Sequence, residues 1–147
     1  MKIVIKRASG GVSIMTLVND SEEAESIKKW KLAHPEEYVS HRSMSDDAIP
    51  TDRTFRNAWA DITPELTIDV DMSKARNIHL ESIRIKRNAE LAKLDVEAIK
   101  AQDMGNAETL AQIRARKQEL RDLPATLAPT LASAASVDAL KAIQPLE

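Results

Sequence analysis

Residues 73–104 read SKARNIHLESIRIKRNAELAKLDVEAIKAQDM, thirty-two positions without a glycine or a proline. Helix formers dominate, and Ser73 is a plausible N-cap ahead of them. Positions 75, 78, 82, 85, 89, 92, 96 and 99 read Ala, Ile, Ser, Ile, Ala, Ala, Val and Ile. This 3–4 spacing is a coiled-coil-like seam. A second stripe, Leu80, Ile83, Leu91 and Leu94, widens the apolar surface. One continuous helix here would be about 45 Å long, although Asp95 could instead cap a second piece.

Gly105-Asn106 breaks the run, and 107–123 reads as a return helix with Leu110, Ile113 and Leu120 inward. A link this short makes the two helices antiparallel. Pro124 is expected to end the return helix. The remaining Ala/Leu/Pro segment leads to a short capped helix at 136–143 and carries few charges. It is expected to dock rather than stay in solvent. A two-helix hairpin cannot cover both stripes of residues 75–99. What it leaves must meet residues 1–72, the C-terminal segment, or another protein.

Upstream, residues 2–7 and 12–18 are β-branched and partly alternating, and Ala8-Ser9-Gly10-Gly11 between them supplies turn residues. That pattern predicts a β-hairpin, which is marginal alone and must pack on something else. Asn19-Asp20-Ser21 offers caps for a helix that turns Ala24, Ile27, Trp30 and Leu32 inward and stops before Pro35. Residues 36–50 are polar and irregular, with 38–41 a short strand. A helical turn over 52–60 places Phe55 and Trp59 on one face. Residues 61–72 alternate around Leu66, Ile68 and Val70 and predict a further strand. The fold class is therefore α+β and predominantly helical. A hairpin-containing module (1–72) precedes a long antiparallel helical hairpin (73–124) and a docked segment (125–147).

Composition narrows the function. Hydrophobic residues are 43% of the 147, but only Trp30, Tyr38, Phe55 and Trp59 are aromatic. Aliphatic packing of this kind suits helix–helix contact better than a deep ligand pocket. Absence of cysteine excludes disulfides, thiolate metal sites and a cysteine nucleophile. Residues 73–122 sum to +3 and 21–72 to −6, a weak basic excess for nucleic acid. No apolar window is long enough to span a membrane, and the N-terminus lacks the run of a secretory signal. Synthesis in the cytoplasm is the plain expectation.

Candidate chemistry is thin. His34, His41 and His79 have no metal-ligand spacing and read as surface or capping residues. Asp69 and Asp71 would share a strand face, where a polar edge is the simpler role than a cation site. No Gly-x-Ser-x-Gly and no phosphate loop occurs. An enzyme is not expected, and neither cofactor nor metal is implied. Phe55 and Trp59 with Arg53 and Arg56 form an aromatic–basic patch. It is either the anchor of a small core with two solvated arginines or a docking patch for another protein. The seam at Ile78, Ile85, Ala89, Val96 and Ile99 is the second candidate contact, for a partner or for a homo-oligomer.

Two stretches resemble a known group. Asp52-Arg53-Thr54-Phe55-Arg56-Asn57-Ala58-Trp59 and Asp71-Met72-Ser73-Lys74-Ala75-Arg76-Asn77-Ile78-His79, with Ile83-Arg84, look like small phage and prophage tail-associated proteins. Lys117-Gln118-Glu119-Leu120-Arg121-Asp122-Leu123-Pro124 is similar to the ending of tail assembly chaperone-like and tail fibre assembly proteins. The closing 138–145 fits the same group. The likeness covers about residues 50–147, and Leu94-Asp95-Val96 stands where the chaperone-like proteins have an Asp-Trp pair. The resemblance implies a non-enzymatic tail protein, assembled in the bacterial host cytoplasm and bound to tail or tail fibre proteins in the virion tail. An assembly chaperone absent from the particle, or a small phage regulator or host-defence inhibitor, are the alternatives.

Overall fold

The computed structural model describes residues 1–63 and 67–146, the side chain of Asp20 excepted. The chain forms two compact units, Met1–Ala75 and Arg76–Glu147.

In the first unit, β1 (Lys2–Arg7) and β2 (Val12–Thr16) form the expected antiparallel hairpin, with Val4 opposite Ile14. The turn closes through Gly10 N–H to Arg7 O at 2.9 Å and Arg7 N–H to Gly11 O at 2.9 Å. Gly10 sits at φ +81°, the left-handed position that a three-residue hairpin loop assigns to glycine. A third strand, β3 (Tyr38–Met44), pairs antiparallel with the other edge of β1, so the order is β2-β1-β3. It runs three residues beyond the short strand expected from the sequence.

Strand β1 is therefore central, and Ile3, Val4 and Ile5 are all fully buried. A strand covered on both faces needs a continuous apolar run rather than alternation, and Ile3-Val4-Ile5 supplies it. Val4 packs with Met44, Ile49, Trp59 and Ile68. On the other face Ile3 and Ile5 meet Leu17 and Ile27, with Trp30 and Tyr38 at the margin.

Ile27 comes from α1 (Glu23–Ala33), which follows a single 3-10 turn at Asp20–Glu22. Its residue before the first turn, Glu22, makes no side-chain capping hydrogen bond. Only Ile27 of this helix is buried and Trp30 is half-buried. Ala24 and Leu32, expected inward, are exposed. The sheet's covered face is only three strands wide, and Ile27 and Trp30 are enough to fill it.

Instead of a helical turn throughout 52–60, one 3-10 turn (Arg56–Ala58) passes directly into β4 (Trp59–Ala60). β4 pairs with β5 (Asp69–Val70), which is as much of the expected strand over 61–72 as forms one among the described residues. Leu66 lies outside the described residues. Arg42 on β3 ties the sheet to this ribbon. Its Nη2 donates to Asp61 Oδ1 at 2.7 Å and its Nε to the same oxygen at 3.1 Å, and Asp61 is buried.

Helix α2 (Met72–Asp103) is continuous through Asp95, about 48 Å at 1.5 Å per residue. Its cap is Asp71 rather than Ser73. Asp71 Oδ1 accepts the amide of Lys74, the third residue of the helix, at 3.1 Å. In the second unit the helix ends in a Schellman motif, with Asn106 N–H to Ala101 O at 2.9 Å and Gly105 N–H to Gln102 O at 3.0 Å. Gly105 takes φ +66°. Asn106 then caps α3 (Ala107–Ser133), accepting the Thr109 amide at 3.0 Å.

Pro124 does not end α3, which runs through both Pro124 and Pro129. Each proline deletes a backbone hydrogen bond and costs about 3 kcal/mol in a helix interior. The apolar stripe that continues past them, to half-buried Leu127 and buried Leu131, offsets that cost. The boundary expected at 124 thus falls inside a helix.

The C-terminal segment docks as expected. Ser136 caps α4 (Val137–Lys141) through the Ala139 amide at 3.1 Å. His79 Nε2 lies 2.8 Å from Ile143 O, Arg76 Nη2 donates to Ala134 O at 2.8 Å, and Lys86 Nζ reaches Leu146 O at 3.4 Å. His79, read from sequence as a surface or capping residue, is buried beneath this segment.

Candidate interaction surface

The long helix α2 carries two apolar stripes, and α3 can cover only one of them. Leu94 follows Ile85 by nine residues, two and a half helical turns, so the two side chains point in opposite directions. Helix α3 takes the Leu94 side. Leu94 and Ala101 form a buried cluster with Ile113 and Leu120, and Leu91, Ala98, Leu110 and Leu146 pack against it. An ion pair between Lys117 and Asp95 bridges the hairpin at its flank.

The regular seam therefore lies on the outside. Ile78 is half-buried, whereas Ala89 and Ala92 are exposed. Ile85, Val96 and Ile99 retain 64%, 52% and 61% of their surface in solvent. Exposed β-branched side chains thus recur along this face of the helix. Five seam residues named from the sequence, Ile78, Ile85, Ala89, Val96 and Ile99, are thus brought together on one face of one helix.

The aromatic–basic patch of the first unit divides. Phe55 and Trp59 are buried at 2% and 3% exposure, so neither presents a ring to a partner. Trp59 belongs to the cluster around Val4. Arg53 and Arg56 are exposed, and Arg56 lines a shallow groove with Arg7, Val12, Ser13, Ile14, Asn57 and the largely buried Trp59. The two aromatics are thus core residues, whereas the two arginines are at the surface.

A cluster that the sequence reading did not assemble lies along α1 and β3. Trp30 and His34 stack with ring centres 4.5 Å apart, and Lys31 Nζ sits 4.0 Å above the Tyr38 ring. Tyr38 Oη lies 2.6 Å from His41 Nδ1. The i,i+4 spacing of Trp30 and His34 was the available signal. These contacts engage the rings with one another and anchor the start of β3 to α1.

The acidic pair also resolves. Asp69 Oδ2 accepts from Thr63 Oγ1 at 2.6 Å, from Thr63 N–H at 2.8 Å and from Ile62 N–H at 3.3 Å. The Thr63 hydroxyl, aided by these amides, holds the Asp69 carboxyl below the usual carboxylate range. Asp71 caps α2 and pairs with Lys74. Both are committed to local structure. Among the described residues no group of three His, Cys, Asp or Glu is placed to hold a metal ion. No described helix is long and apolar enough to cross a membrane.

The chain matches no protein-family model, no curated protein and no solved structure.

Proposed function

We propose that this chain is a non-enzymatic protein–protein contact module of a phage tail, retained in the particle as a connector between tail or tail fibre proteins. The observation that carries the contact role is the exposed seam of α2, from Ile85 to Ile99, left bare on a helix whose other face is packed. A single 32-residue helix carries that seam in regular spacing, so a second helix could meet it without the chain having first to fold there. The phage setting rests on the resemblance of residues 50–147 to small tail-associated proteins. Exposed Arg53 and Arg56 provide a second, polar contact point on the other unit.

Peptide quantification in purified phage particles tests the reading. A fixed number of copies per tail is expected. Absence from particles, with the chain abundant in the infected cell, would replace the connector by a factor that acts before assembly is complete.

A further inference from the structure

The seam has the arrangement of half a coiled coil, and its flanks say which partner completes it. With Ile78, Ile85, Ala92 and Ile99 at the d positions, Ser82, Ala89 and Val96 fall at the a positions. The flanking positions then separate by charge. One side, the g positions, carries Glu81, Asn88 and Asp95. The other, the e positions, carries Lys86, Lys93 and Lys100. We infer that this face of α2 takes further copies of the same chain, parallel and in register; the inference rests on the reading that the seam is a contact surface.

In a parallel arrangement each g position meets the e position five residues later on the neighbouring helix. Glu81 then faces Lys86 of the second copy, Asn88 faces Lys93, and Asp95 faces Lys100. Every charged contact is attractive or neutral. In the antiparallel arrangement e meets e, so the three lysines oppose three lysines, and the acidic flank opposes itself. Like charges so placed are unfavourable. The parallel pairing would exchange exposed contacts within one chain for contacts between chains: Glu81 now pairs with Arg84, Lys93 with Glu90, and Lys86 reaches Gln144 and Leu146. Glu81, Lys93, Asp95 and Lys100 are exposed, and Asp95 also pairs with Lys117 across the hairpin. The small residues Ser82, Ala89 and Ala92 let backbones approach closely, while isoleucine at d favours more than two strands.

The test uses the full chain, in which no cysteine occurs. Its mass in solution is measured from micromolar to millimolar concentration, together with the disulfide formed by Ile99→Cys under mild oxidation. A mass at least twice 16.3 kDa and efficient 99-to-99 cross-linking are expected. Ile85→Glu, on an exposed site and checked for unchanged helix content, should return the chain to monomer. A wild-type chain that stays monomeric at millimolar concentration overturns the inference. So does an oligomer indifferent to Ile85→Glu. Mixing Ile78→Cys with Ile99→Cys tests orientation: preferential 78-to-99 bridges would mean antiparallel helices and also overturn it. A monomeric chain that is nonetheless present in purified particles would defeat self-association alone and leave the contact role to a different protein.

Discussion

Two substitutions that remove similar volumes from the same helix should have opposite consequences. Leu94 is 8% exposed and packs with Ala101, Ile113 and Leu120. Leu94→Ala deletes three buried carbons and opens a cavity between α2 and α3, where the helical backbones cannot collapse freely. The cost is the lost transfer energy plus the cavity term, about 3 kcal/mol. The unit spans Arg76–Glu147, a size at which each kcal/mol moves the midpoint by about 4–8 °C. The expected fall is therefore about 12–24 °C. Ile85 lies on the opposite face at 64% exposure. Ile85→Ala removes little buried surface and replaces a β-branched residue by the best helix former, so stability should stay within about 0.5 kcal/mol of wild type or rise slightly. Thermal and urea unfolding followed by circular dichroism at low micromolar concentration, below any self-association, measures both. A Leu94→Ala chain as stable as wild type, or an Ile85→Ala chain as damaged as Leu94→Ala, would refute the assignment of inner and outer stripes.

Other expectations follow from single contacts. Asp61→Ala leaves the Arg42 guanidinium without its buried acceptor and should cost about 2 kcal/mol in urea unfolding. Gly105→Ala forces a side chain into φ +66° with nothing within 4 Å to collide with, so the loss, about 1 kcal/mol, reports backbone conformation alone. Asp69 has its folded pKa lowered by Thr63. Its contribution is therefore fully present above the unfolded value of about 3.9 and disappears as pH falls through the folded value beneath it. Thr63→Val should shrink that acid-side loss, seen as a shallower fall in unfolding midpoint below pH 4 than in wild type.

Much of this fold was legible in the sequence, for identifiable reasons. The hairpin 2–16 announced itself through Gly10-Gly11 between β-branched runs, and the helical hairpin through Gly105-Asn106 between long periodic stretches. Strand β3 was harder. Val39-Ser40-His41-Arg42-Ser43 has no apolar alternation, since its residues are mostly exposed and its place is set by pairing with β1. Pro124 carried the wrong implication because tertiary packing of Leu127 and Leu131 outweighs a local helix penalty. Asp71 displaced Ser73 as cap because the helix starts two residues before a Ser73 cap would begin it. Periodicity revealed both stripes of α2, but a period contains no information on which stripe the neighbouring helix will cover. The same limit applies to Phe55 and Trp59, whose four-residue spacing was compatible with core and with surface.

The seam's proposed role in a phage tail is tested by peptide quantification in purified particles made with the wild-type chain and with Ile85→Glu, the variant first shown to fold. A fixed number of wild-type copies per tail and at least a tenfold loss of the variant are expected, since an uncompensated charge in an apolar contact costs more than about 1.4 kcal/mol. Ile85→Glu recovered at the wild-type copy number would contradict it.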